Sequence, residues 1–105
     1  MKIWIKKKTK EYIIHLLTIK PELRDNDQRL VSNVISQFLI LKKLDANNMT
    51  AWKLLMMYAD GELPAADYIT RVRRKVQEET PELRGKKYQQ RHKKAEQVKN
   101  NLNNL

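Results

Sequence analysis

The chain has no cysteine, only two glycines and three prolines in 105 residues, and one phenylalanine. Without cysteine there is no disulfide framework, no thiolate nucleophile and no cysteine-ligated zinc, and nothing asks for an oxidising compartment. So few glycines and prolines cannot turn an all-β chain at every hairpin, and strong helix formers fill the long intervals between them. No apolar run approaches the ~18–20 residues that a bilayer span needs. Lys6, Lys7, Lys8 and Lys10 stand where a signal peptide carries its apolar stretch. The expectation is a cytoplasmic protein without a membrane partner. At this length one modest hydrophobic core is the limit. The expected fold class is all-α: a compact bundle of four to five short helices over residues 1–84, then a basic C-terminal helix or tail over 85–105.

What the chain has in excess is positive charge, +10 in all, and it is unevenly placed. Over residues 1–20, Lys2, Lys6, Lys7, Lys8, Lys10 and Lys20 face only Glu11. Over residues 85–105, Lys86, Lys87, Arg91, Lys93, Lys94 and Lys99 face only Glu96. Acids and bases cancel in between. A neutral helical body with two cationic ends raises the potential over chosen surfaces, which is how a polyanion-binding face differs from a generally basic protein. Eleven of these twelve terminal cations are lysine. That favours point contacts with phosphate over bidentate reading of bases. The candidate nucleic-acid-binding set is Lys6, Lys7, Lys8, Lys10, Arg71, Arg74, Lys86, Lys87, Arg91, Lys93 and Lys94, and sequence-indifferent binding by the lysine-rich ends requires the two ends to form one continuous patch. A charged tail that merely keeps the protein soluble is the plainer alternative.

Apolar spacing organises the body. Tyr12, Ile13, Leu16 and Leu17 predict a helix from about Lys8 to Ile19. Leu30, Val31, Val34, Ile35, Phe38 and Leu39 predict a second over about 27–43, its start capped from Asp25, Asn26 or Asp27. Trp52, Leu55, Met56 and Ala59 predict one apolar side of a third, about 49–59, ended at Gly61. The single core needs most of these side chains, and Met49, Met56 and Met57 beside Trp52 as an adaptable surface for a partner protein is the alternative. Ala65, Tyr68, Ile69, Val72 and Val76 predict the inward face of a fourth, about 65–79. The tetrapeptide PELR occurs twice, at Pro21–Arg24 and Pro81–Arg84. In each copy a helix stops at the proline and the leucine can tuck back onto it. The flanks differ, "LLTIK" and "VQEET" before and "DNDQRLV" and "GKKYQQR" after, so a shared turn solution is preferred to a duplication.

On the run "ITRVRRKVQEETPELRG" (Ile69–Gly85), and less sharply on "PELRDNDQRLV", the chain resembles a group of short proteins encoded by tailed phages and prophages of bacteria. The resemblance covers most of residues 10–90 in organisation. It implies a small cytoplasmic accessory to DNA metabolism or host takeover, and it carries no active site onto any position here.

The remaining constellations are weaker. A helix, the "DGELP" turn and an arginine-rich helix invite comparison with a helix-turn-helix reader, with Asp67, Thr70, Arg71 and Arg74 outward. The connection is longer than the usual three or four residues, and an ordinary helical hairpin is the simpler reading. His15 and His92 lack carboxylate partners for a metal, and no nucleophile, base and orienting group can be assembled, so neither cofactor nor catalysis is expected. Asp25 and Asp27 look like paired carboxylates, but helix capping accounts for both. Ile3, Trp4 and Ile5 precede the first predicted helix and have no evident place in its stripe, which suits an interface with a host bacterial protein. Val98, Leu102 and Leu105 fall on a thin C-terminal seam suited to a homodimer.

Overall fold

A computed structural model of the chain describes residues 2–87 and 90. Among these, every regular element is helical: α1 (Ile3–Ile19), α2 (Asp27–Leu41), α3 (Ala51–Ala59) and α4 (Ala66–Glu79), with 3-10 turns at Pro21–Asp25, Ala46–Asn48 and Pro81–Leu83. The all-α class is as expected. Arg91, Lys93, Lys94 and the seam of Val98, Leu102 and Leu105 lie outside the described residues.

The first helix begins five residues before its expected start at Lys8. Its buried stripe is Ile5, Thr9, Ile13, Leu16 and Leu17. Thr9 occupies a core position because its hydroxyl donates to the Ile5 carbonyl at 2.6 Å, which satisfies the polar group inside its own helix. Set between Lys8 and Lys10, it makes an amphipathic turn read as a polar run. This corrects the expectation for the N-terminal anchor. Ile5 is fully buried and belongs to the core, while Ile3 is 74% exposed. Trp4 is half committed: its ring lies 6.3 Å from that of Phe38, with the Lys42 ammonium 5.7 Å above it.

Helices α1 and α2 run antiparallel, since Phe38, near the end of α2, meets both Trp4 and Tyr12, the latter edge-on at 5.2 Å. Helix α4 runs parallel to α1. Lys6, Lys7 and Lys10 line one groove with Tyr68, Val72 and Lys75, Lys10 meets Glu79, and the turns that end the two helices touch through Asp25 and Lys86–Lys87. Ile5, Ile13, Leu16, Leu17, Leu30, Val34, Phe38, Ile69 and Val76 close the core between the three. Helix α3 spans the end of the bundle where α2 stops and α4 starts, and Met57 is its one buried residue.

Two kinds of stop organise the helices. Lys43 and Gly61 both adopt left-handed backbone, with φ of 59° and 72°. They let Leu44 donate to the Leu39 carbonyl after α2, and Glu62 to the Met57 carbonyl after α3. Helices α1 and α4 instead end in the two PELR turns, which share one geometry. Lys20 and Thr80, before the prolines, have φ of −129° in both and ψ of 81° and 89°. Leu23 and Leu83 are buried. The arginines fold back rather than leading forward: Arg24 Nε donates to the Leu17 carbonyl at 2.9 Å and Arg84 Nε to the Gln77 carbonyl at 2.7 Å. Each guanidinium therefore covers a carbonyl in the last turn of its own helix, where a cation also suits the dipole.

The two turns converge on Gln77, which is fully buried in α4. Its side-chain nitrogen donates to the carbonyls of Arg24 at 3.0 Å and Leu83 at 3.2 Å. Its oxygen accepts from Arg73 Nη1 at 3.0 Å. Arg73, only 7% exposed, grips Asp27 in a fork, Nε to Oδ1 at 2.9 Å and Nη2 to Oδ2 at 3.1 Å. The run Asp25–Asn26–Asp27 thus performs three separate tasks, and capping of α2 accounts for one of them. Asn26 caps α2 by accepting from the Arg29 amide, Asp27 holds Arg73, and Asp25 accepts from the Lys86 and Lys87 amides at 3.0 and 3.1 Å. Gly85 permits that last contact, since a Cβ there would collide with the Asp25 carboxylate.

Truncating Asp27 to alanine leaves a buried guanidinium without its anion and should cost about 2 kcal/mol, the partial exposure of Asp27 reducing the full penalty for an unpaired buried charge. Thermal unfolding should then fall by roughly 10 °C. An unchanged midpoint would show that the fork adds nothing to the fold.

Candidate nucleic-acid interface

The parallel pairing of α1 and α4 puts Lys6, Lys7 and Lys10 of α1 beside residues 68–76 of α4. Their facing sides leave a groove of about 270 Å³, lined by Lys6, Lys7, Lys10, Tyr68, Val72, Lys75 and Val76. Its floor is apolar, from Tyr68, Val72 and Val76, and its rim carries four ammonium groups. Helical spacing explains the split. Tyr68, Val72 and Val76 recur every four residues on the side of α4 next to its buried stripe, and Lys75 lies on the outer edge of that side. On α1, Lys6 and Lys10 are one turn apart, about 6 Å along the axis.

Nearby carboxylates do little to offset these charges. Lys10 approaches Glu79 at 3.9 Å with both side chains about half exposed, a spacing at which a surface pair is worth little. Lys8 is turned to Glu11 at 3.3 Å on its own helix, outside the groove. Helix α1 has no acidic residue in its first turn, and its N-cap, Lys2, has no side-chain capping bond. Cations at that end oppose the helix dipole. Lys6, in the first turn, and Lys7 just after it therefore gain nothing from the dipole.

The expected patch is divided. Lys86 and Lys87 lie beyond the C-terminal end of α1, tied by their amides to Asp25, and Lys7 is separated from Ile19 by about 18 Å of helix. Among the described residues the two lysine groups thus stand at opposite ends of α1, and the single continuous surface is replaced by the groove. Arg71 and Arg74 are exposed on the outer side of α4, Arg71 beside Asp67 at 3.9 Å. Lys75, one turn beyond Arg71, is the cation of α4 that reaches the groove. Its place in the groove is not legible in the sequence, because nothing in the one-dimensional pattern pairs α1 with α4.

Of the apolar residues weighed for a partner surface, Trp52 and Met56 are exposed and Met57 is buried. On α3 the inward side is Leu54, Met57 and Tyr58, and the side that carries Trp52, Leu55 and Met56 is turned out, by 72%, 61% and 42%. Burial pushes the Tyr58 phenol above its ordinary pKa, keeping the ring neutral. Ile40 and Leu41 are exposed at the end of α2, and Ile3 and Trp4 at the start of α1, all at the same end of the bundle. His15 is exposed, and among the described residues no histidine or carboxylate cluster is arranged to hold a metal ion. No helix among them is long and apolar enough to cross a membrane.

Compared with family models, curated proteins and solved structures, the chain matches none.

The crowding of like charges at the start of α1 has a measurable consequence. Replacing Lys6 and Lys7 together by glutamine should raise stability by about 0.5–1 kcal/mol at low ionic strength. That gain should shrink as salt screens the charges, read from thermal melts of both proteins across a salt series. Destabilisation by the pair of changes would show that these lysines serve the fold.

Proposed function

We propose that the protein binds nucleic acid through the phosphate backbone and without sequence preference, as a small phage-type accessory that supports or regulates DNA transactions. The supporting observation is the α1–α4 groove, where Lys6, Lys7, Lys10 and Lys75 line one cleft with little counter-charge. Each lysine brought near a phosphate releases condensed counterion, so affinity is electrostatic and strongly salt-dependent. Lysine lacks the fork that reads guanine, consistent with positioning on phosphate rather than choice of sequence. Lys86 and Lys87 form a separate cationic point at the far end of α1. The role is binding and not catalysis, and it requires no cofactor.

With about four phosphate contacts, affinity for labelled DNA should fall roughly a hundredfold between about 50 and 200 mM salt. The combined variant Lys6→Glu, Lys7→Glu and Lys75→Glu should bind at least tenfold more weakly at the lower salt while remaining folded. Wild-type affinity in that variant would remove the groove from the account.

A second reading, an inhibitor or adaptor that seizes a host protein, is favoured by one observation, the outward face of α3. Trp52, Leu55 and Met56 are the side chains a partner would bury, with Trp52 as the anchor in place of Trp4. Under this reading the net positive charge matches an acidic patch on the partner. After nuclease treatment, capture from a bacterial lysate should recover one stoichiometric protein with the wild type and lose it with Trp52→Asp. Recovery that survives Trp52→Asp counts against it.

A further inference from the structure

The floor of the groove is informative in a way its rim is not. Lysines alone would suit any polyanion, duplex DNA included. A duplex, however, keeps its base faces stacked inside and presents charged phosphate oxygens to a protein surface. Against those oxygens Val72 and Val76 have nothing to offer and Tyr68 has only its hydroxyl, its ring face staying unused, because burying a charged group on apolar surface is unfavourable without a hydrogen-bonding partner. A duplex would meet the rim and leave the floor wet. A single strand has both kinds of surface in alternation. Its unpaired bases carry apolar faces that gain by leaving water, and each is flanked by phosphates. An aromatic ring inside a cationic groove is the pairing that single-strand binding uses, without requiring a particular base, since every base has a π-face.

Geometry matches that division. Tyr68 lies on α4 and the α1 lysines face it across the groove, so a base laid on the ring keeps its backbone on the α1 side. Lys6 and Lys10, about 6 Å apart along the axis, can then reach successive phosphates. Lys75 closes the opposite rim two turns beyond Tyr68. The groove is a partly open cleft and not an enclosed cavity, so a strand can enter and leave without threading an end.

Resting on the nucleic-acid reading above, we propose that the α1–α4 groove is a single-strand site, with one base stacked on Tyr68 and the adjoining phosphates held by Lys6, Lys10 and Lys75.

The test is fluorescence anisotropy with the full chain and two labelled probes, a roughly 16-nucleotide single strand and a duplex of the same length, together with unlabelled heparin as a polyanion without bases. The wild type should bind the single strand about tenfold more tightly than the duplex, and heparin should displace the duplex more readily than the strand. Tyr68→Leu should bring single-strand affinity down to the duplex level and leave the salt dependence unchanged, while Tyr68→Phe should retain the preference. Equal affinity for strand and duplex in the wild type overturns this proposal and leaves phosphate binding by the lysines standing. Binding of neither probe at low salt overturns both. The strand preference is read on the unmodified protein, so the outcome stands even if Tyr68→Leu fails to fold.

Discussion

The buried amide of Gln77 is the constraint from which the rest of the arrangement follows. A fully enclosed side chain that can donate twice and accept must have each of those groups met, since an unpaired buried polar atom costs about 1–3 kcal/mol. Its two donors are met by carbonyls from two different turns, Arg24 and Leu83, and its acceptor by Arg73. The end of α1 is thereby held beside the end of α4. Asp27, forked onto Arg73, ties the start of α2 into the same cluster. Packing of Leu16, Leu17, Leu23 and Leu83 supplies apolar burial around it but is not directional. The hydrogen bonds decide which helix ends meet.

The groove follows from that registry through direction. Because both PELR turns lie at one end, α1 and α4 run parallel, and their N-terminal halves also lie side by side. Lys6, Lys7 and Lys10, all exposed, then line a groove with Tyr68 and Lys75 across from them. Had α4 run the other way, Glu78 and Glu79 would stand opposite Lys6 and Lys7 and the cations would be neutralised. Instead one contact, Lys10 with Glu79, survives at the far edge at 3.9 Å. The first turn of α1 has no acid to relieve the dipole and lysines follow closely, a local conflict of the kind expected where a surface serves a ligand more than the fold.

Much of the fold is legible in the sequence, and the misses have physical reasons. Helix number, the stops at both prolines and at Gly61, and the stripe of Leu30, Val34 and Phe38 follow from periodicity and punctuation. The start of α1 does not, because Thr9 meets its own hydrogen-bonding need against Ile5 and fills a core position that composition scores as polar. The facing of α3 does not either. Trp52, Leu55 and Met56 make one stripe and Leu54, Met57 and Tyr58 another, so periodicity alone cannot choose between them. Spacing rules treat Arg73 and Gln77 as surface residues, and only their tertiary partners take them inside. The lysines of α1 were visible as charge from the outset. Their opposition to Lys75 and Tyr68 was not, since it depends on Gln77 bringing together two turns that are far apart in the chain.

The most direct test of this account is to follow the backbone amides of the isotopically labelled protein by NMR while a short single strand is added. Shifts concentrated on Lys6, Lys7, Lys10, Tyr68, Val72 and Lys75, two faces joined only by the parallel pairing of α1 and α4, are the predicted result. Shifts confined to α3, or to Lys86, Lys87 and the residues after them, with the groove unmoved, would contradict it.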